Sequence, residues 1–217
     1  ILQPQVSFVL MDQHTGYVKA VNGGRGTKEI SLSLNRATNT LRQPGSTFKV
    51  LTAFAPALDT CGATLSTVYY DAPYTVGQKT FRNWYAKKGY MGYSTIRDGI
   101  VYSMNIVAVR CMMETVTPQL GVEYARNFGI TSLTETDYNA ATALGGITKG
   151  VSNLELTGAY AAIANGGIYT KPVFFTKILD HNGKVLLENE PQTKRVLKDS
   201  TAFLLTDALA ESMESSR

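Results

Sequence analysis

The sequence predicts an α+β fold in which an antiparallel sheet is flanked by helices. Three observations lead there. Alternating runs of β-branched and bulky residues at 6–11, 17–21, 174–179 and 184–187 are paired across turn signals, His14-Thr15-Gly16 and Asn182-Gly183. Between the two strand pairs, apolar residues recur at spacings of three and four. Helix-capping residues stand where those spacings begin and end.

The first hairpin covers residues 6–11 and 17–21, and the polar, Gly-containing stretch 23–39 reads as a loop. Pro44-Gly45 then punctuates the chain before Phe48, Leu51, Ala55 and Leu58, which form one apolar helix face. Residues 59–92 are rich in Tyr, Gly and Thr without strong periodicity and read as an extended surface excursion. A short helix at 95–102 leads to Ser103-Met104-Asn105, and another follows through Val107, Cys111 and Met112. Pro118 opens a further helix that Gly129 closes. Ser152 and Glu155 form a capping box for a helix that runs to Ala164 and ends at Gly166-Gly167. After the second hairpin, Asp199-Ser200 caps an amphipathic helix through Met213. One hairpin cannot cover so much apolar helix surface. The expectation is therefore a single, incomplete domain over residues 1–217, with its C-terminal strands missing from this chain.

The 44% hydrophobic and 18% charged fractions suit a packed core, and no stretch approaches the roughly 18 apolar residues that would span a bilayer. The first residues lack the basic region and cleavage site of a signal peptide, so any membrane anchor is expected upstream. A net charge of +4 from scattered basic residues gives no basic stripe interleaved with aromatics, which argues against nucleic acid. Cys61 and Cys111 lack metal-ligand spacing and sit among apolar neighbours. Buried free thiols are the favoured reading, with one bridge as the alternative in an oxidising compartment. His14 and His181 both lie in turns, so neither a zinc site nor a histidine triad is expected, and no cofactor.

Ser46 and Lys49 are three apart, which on a helix puts hydroxyl and amine on one face. A serine hydroxyl needs a neighbouring base, and a desolvated lysine serves as one because burial disfavours the ammonium. The plainer reading is an N-cap serine with a surface lysine. Ser103 and Asn105 form a second candidate pair, a hydroxyl to relay a proton and an amide to hold substrate, against the alternative of an ordinary turn.

Combination and order change the balance. The run RQPGSTFKV, then SMN at Ser103, ALGG at Ala143 and GVSNLELTGAYAAIANGG at Gly150, with GGRG at Gly23, NRAT at Asn35 and NWY at Asn83, resemble the transpeptidase domain of class A (bifunctional) penicillin-binding proteins. The resemblance covers nearly the whole chain. It implies the penicillin-binding/serine β-lactamase-like fold, with Ser46 as acyl-accepting nucleophile, Lys49 as its base partner, and Ser103 and Asn105 as the second motif. Met104 fills a slot where other members have aspartate, and its side chain is expected to face away from the site. Trp84, the sole tryptophan, is placed by the resemblance near the substrate groove, with core packing as the equal alternative.

The family's Lys-Thr-Gly strand is not present, and the sequence stops at Arg217. The resemblance implies that this strand supplies a carboxylate-binding lysine and one oxyanion N–H, so these residues alone are expected to be inactive, with the remaining strands expected on another chain or fragment, in a continuation of the sequence, or lost to proteolysis. The implied activity is cross-linking of peptidoglycan stem peptides ending in D-Ala-D-Ala, at the extracytoplasmic face of the bacterial membrane, with β-lactams as covalent inhibitors. A serine β-lactamase, with Glu135 or Asp137 as deacylating base, is one alternative. A β-lactam-acylating sensor or non-catalytic cell-wall module is another.

Overall fold

The structure is a computed structural model that describes residues 3–214; Arg217, where the sequence stops, lies outside them. Its strands form five separate two-stranded antiparallel ladders arranged around helices. The first hairpin pairs β1 (Phe8–Met11) with β2 (Val18–Asn22), as the alternation predicts. β1 lies against α5 (Asn153–Ala164), whose capping box joins Ser152 to Glu155 in both directions.

The helical run after Pro44 is continuous from residue 45 to 59, but its winding changes twice. A 3-10 turn at Gly45–Thr47 opens it, a π-type turn occupies Val50–Phe54, and α1 (Ala55–Asp59) closes it. Pro56 explains the wide turn. It has no N–H to give the carbonyl four residues back, and its ring would crowd that carbonyl. The carbonyl belongs to Thr52, and α4 (Pro118–Asn127) approaches it closely through Gly121, where a Cβ would fall 2.5 Å from the Thr52 oxygen. Of the apolar face anticipated from Phe48, Leu51, Ala55 and Leu58, the first three are fully buried and Leu58 is half-buried against the core.

Residues 59–92 differ from the expected surface excursion. β3 (Val68–Asp71) pairs with β6 (Gly92–Thr95), and β4 (Tyr74–Val76) pairs with β5 (Lys79–Phe81). Tyr69, Asp71 and Phe81 point inward and are buried. Strands this short, one of them with its partner more than twenty residues away, leave little period-two signal in the sequence.

α2 (Ile96–Val101) is capped by Thr95 and Asp98. α3 (Asn105–Arg110) follows it, and Phe54 fills the space between them beside Gly99 and Val107. β7 (Ile168–Thr170) pairs with β10 (Thr193–Arg195), a ladder not foreseen. The second hairpin, β8 (Lys177–Leu179) and β9 (Val185–Glu188), turns through residues 180–184, where Asp180 accepts from the amides of Asn182 and Lys184. α6 (Asp199–Glu214) is anchored at its start by Asp59, which accepts from the Lys198 amide at 2.8 Å, and along its length by Arg97 pairing with Asp207 and Glu211.

Phe54 is fully buried at the centre of this packing. Phe54→Ala is expected to lower unfolding free energy by about 3–5 kcal/mol, measured by denaturant titration, because the surrounding helices cannot close the cavity.

Candidate active site

Three devices fix the backbone ahead of Ser46. Arg42 and Val151 exchange both backbone hydrogen bonds, at 2.9 and 2.8 Å. The Gln43 side chain behaves like a strand edge, accepting from the Ile147 amide at 3.0 Å and donating to the Ile147 carbonyl. Gly145, at φ +73°, presses on Gly45 so closely that a Cβ would fall 2.4–2.9 Å from Gly45 backbone atoms. The ALGG segment is therefore a backing for the turn that carries Ser46. Behind it, Tyr160 donates to the Thr47 carbonyl at 2.7 Å. Ser46 is left exposed on this braced turn.

Lys49 is one turn further on and only 2% exposed. Its Nζ donates to the Ser103 carbonyl at 2.7 Å and to Ser103 Oγ at 3.1 Å. Burial pulls its pKa down from 10.5 to about 8, because loss of water penalises the ammonium and no carboxylate stands beside it to offset that among the described residues. An amine in that range can exist uncharged near neutral pH. The surface-lysine alternative does not describe this side chain.

Ser103 arrives between α2 and α3 with φ +51°, a left-handed conformation that strains a residue with a Cβ. Met104 next to it is fully buried in the core, as expected for a side chain facing away from the site. Asn105 Nδ2 donates to the Arg82 carbonyl at 2.9 Å, which leaves its second N–H and its oxygen open. Trp84 is 63% exposed and donates its indole N–H to the Tyr102 carbonyl at 3.2 Å. The structure thus joins Lys49 to Ser103 directly, puts Ser46 one helical turn away, and attaches Asn105 and Trp84 to the two sides of the Ser103 corner. A cleft of about 320 Å³ opens beside them, lined by Trp84, Tyr85, Lys88, Gly89, Tyr90, Met91 and Tyr102.

Asp137 is buried, and its carboxylate accepts from the amides and hydroxyls of Thr134 and Thr148. Burial alone would raise its pKa, but those donors hold it below the ordinary carboxylate value. It ties down the loop that carries Gly145 and has no spare capacity to act as a base. Both cysteines are free. Cys111 is buried with its thiol pushed up to about 12, while Cys61 is half-exposed rather than buried. Sequence reasoning missed Gln43, Tyr160 and a network of Asp71, Asn83 and Tyr85. One signal pointed at the last: a helix beginning at Met104-Asn105 has no capping side chain of its own, so a remote residue must provide one.

The chain matches the family model described as penicillin binding protein transpeptidase domain over residues 6–216. It is 37% identical to penicillin-binding protein 1A of Clostridium tetani, covering 96% of this chain and 28% of that protein. It is 35% identical to penicillin-binding protein 1F of Bacillus subtilis, covering 94% and 28%. Among solved structures, PonA1 of Mycobacterium tuberculosis in complex with penicillin V superimposes with a TM-score of 0.82 at 26% identity, covering 96% of this chain and 57% of that one. Penicillin-binding protein 1A of Haemophilus influenzae gives 0.79 at 26% identity, covering 98% and 36%. The chain spans about a quarter of the length of the curated relatives it matches. Since the family model runs from residue 6 almost to the last residue and the identity to relatives of the 1A type exceeds a third, the chain belongs to the transpeptidase domain family of the class A penicillin-binding proteins.

Proposed function

We propose that the protein carrying this chain is a serine-type peptidoglycan D,D-transpeptidase, and one observation carries the reading. A buried lysine of lowered basicity donates to the carbonyl and the hydroxyl of Ser103, one helical turn from an exposed serine on a rigid turn. In the reaction, Ser46 Oγ attacks the carbonyl between the two terminal D-alanines of a stem peptide and its proton passes to the Lys49 amine. The C–N bond then breaks, and the departing D-alanine takes a proton through Ser103. An amine of a neighbouring stem peptide attacks the acyl-Ser46 ester, completing the cross-link and restoring the hydroxyl. Asn105 holds the substrate amide, and Trp84 forms one wall of the groove. β-Lactams enter the same path and stop at the ester. The place of action is the extracytoplasmic face of the bacterial membrane, where an anchor holds the protein near its substrate.

Asp137 is taken up by four hydrogen bonds, which leaves Glu135 as the base the β-lactamase alternative would need. The sensor alternative acylates by the same chemistry but does not pass the acyl group on.

Tests are made on the protein as expressed from its own gene. Ser46→Ala is expected to abolish labelling by a fluorescent penicillin, with the wild-type adduct mapped to Ser46 by peptide mass spectrometry. Lys49→Arg retains positive charge but removes the base, and acylation is expected to slow by about 10²–10⁴. A labelled wild type with no cross-linking of stem peptides would favour the sensor. Rapid turnover of a chromogenic cephalosporin would favour the β-lactamase.

The pH dependence has a definite sign. The reactive form is the neutral amine, whose fraction grows as pH rises toward the Lys49 pKa of about 8. The acylation rate is expected to climb about tenfold per pH unit below that value and to level off above it. A rate that is flat from pH 6 to 9 would remove Lys49 as the base.

A further inference from the structure

Asp71 is the last residue of β3 and lies on the same inward face as Tyr69, so strand alternation drives its carboxylate into the protein, where it is 1% exposed. A buried carboxylate is costly unless its oxygens are satisfied. No cation is paired with it among the described residues. Three uncharged donors serve instead: Asn83 Nδ2 at 2.5 Å, the Tyr85 hydroxyl at 3.0 Å and the Met91 amide at 2.9 Å. All three belong to the segment that carries Trp84.

The far side of that segment meets the Ser103 corner. Asn83 Oδ1 accepts from the Ile106 amide at 3.0 Å, which caps α3 where Met104 has no side-chain oxygen to do so. The Arg82 carbonyl accepts from Asn105, and the Trp84 indole donates to the Tyr102 carbonyl. Three consecutive residues, 82 to 84, therefore grip residues 105, 106 and 102. Ser103 lies inside this grip in its left-handed conformation, which a fold retains only when its surroundings over-determine it. Two of Asp71's donors, Tyr85 and Met91, also line the aromatic cleft.

We propose that Asp71 is a positioning residue for the transfer reaction: by holding Asn83, which caps α3 at Ile106 beside the contact of Asn105 with the Arg82 carbonyl, it fixes the start of α3 that carries the Asn105 amide, and through Tyr85 and Met91 it fixes the cleft, so that both meet the substrate in one register. The proposal rests on the transpeptidase reading. Asp71 touches neither Ser46 nor Lys49. Ser103 is bound to Lys49 from the opposite side. Loosening the grip therefore weakens substrate binding more than it slows the covalent step.

The test uses the protein as expressed from its own gene and compares wild type with Asp71→Asn and Tyr85→Phe. Asp71→Asn keeps the shape but turns an N–H toward groups that must donate. Stopped-flow acylation by a fluorescent penicillin separates the dissociation constant of the initial complex from the acylation rate constant, and thermal unfolding is recorded beside it. Asp71→Asn is expected to raise the dissociation constant roughly ten- to a hundredfold, with the acylation rate constant and the position of its pH inflection nearly unchanged. Tyr85→Phe, losing one donor, is expected to raise it about threefold. A carboxylate with only a structural role would lower the melting temperature and leave the dissociation constant of the folded fraction at the wild-type value, and that result overturns the proposal. If Asp71→Asn does not fold, Tyr85→Phe decides alone. Failure of the underlying reading looks different: the wild type would then form no ester at Ser46, or form it without cross-linking stem peptides.

Discussion

A nearly dry ammonium is the constraint on which the rest of this structure depends. Lowering the Lys49 pKa from 10.5 to about 8 corresponds to about 3 kcal/mol of lost preference for the charged form. The fold bears that cost at neutral pH and is relieved of it only as pH rises through 8 toward 10.5, since a cation with a depressed folded-state pKa opposes folding below that range. The Ser103 carbonyl and hydroxyl are what make the burial tolerable, and reaching Lys49 obliges Ser103 to take a left-handed backbone. Two unfavourable features thus sustain each other. The strained serine satisfies the buried amine, and the amine holds the serine in place.

Such an arrangement survives only in a rigid frame, and the frame is built from buried carboxylates bound to neutral donors. Asp71 holds the segment beside the Ser103 corner, and Asp137 holds the loop that carries Gly145 against Gly45. Asp59 holds the end of the helical run that begins beside Ser46 to the start of α6. None of the three is paired with a cation among the described residues. A cation close to Lys49 would lower its pKa further, and an anion close to it would raise it. Carboxylates satisfied by amides and hydroxyls at a distance brace the site while leaving its electrostatics to burial.

The sequence made the local half of this visible. Ser46 and Lys49 are three residues apart, and a helix after Pro44-Gly45 puts them on one face; the capping box at Ser152 and the turns of both hairpins follow equally local rules. What stayed hidden was long-range. The ladder of β3 and β6 joins residues more than twenty apart through strands of four, too short for alternation to stand out in a Tyr- and Gly-rich stretch. The π-type turn was written in Pro56, four residues after Thr52, yet the apolar spacing around it is the same for either winding. Trp84 could be read as core or groove because both bury an aromatic face, and its exposure excludes core packing.

The same distinction explains why no single motif in the sequence was persuasive. A serine and a lysine three apart satisfy a geometric rule that any helix offers, and nothing in that spacing says whether the lysine is wet or dry. Dryness comes from Ser103, fifty-four residues away, and from the core that Met104 enters beside it. Chemistry therefore becomes readable only when the local pair and the distant corner occur in one chain in the required order. The Met104 side chain anchors the strained corner in the core, while Asn83 supplies the cap of α3 that methionine cannot.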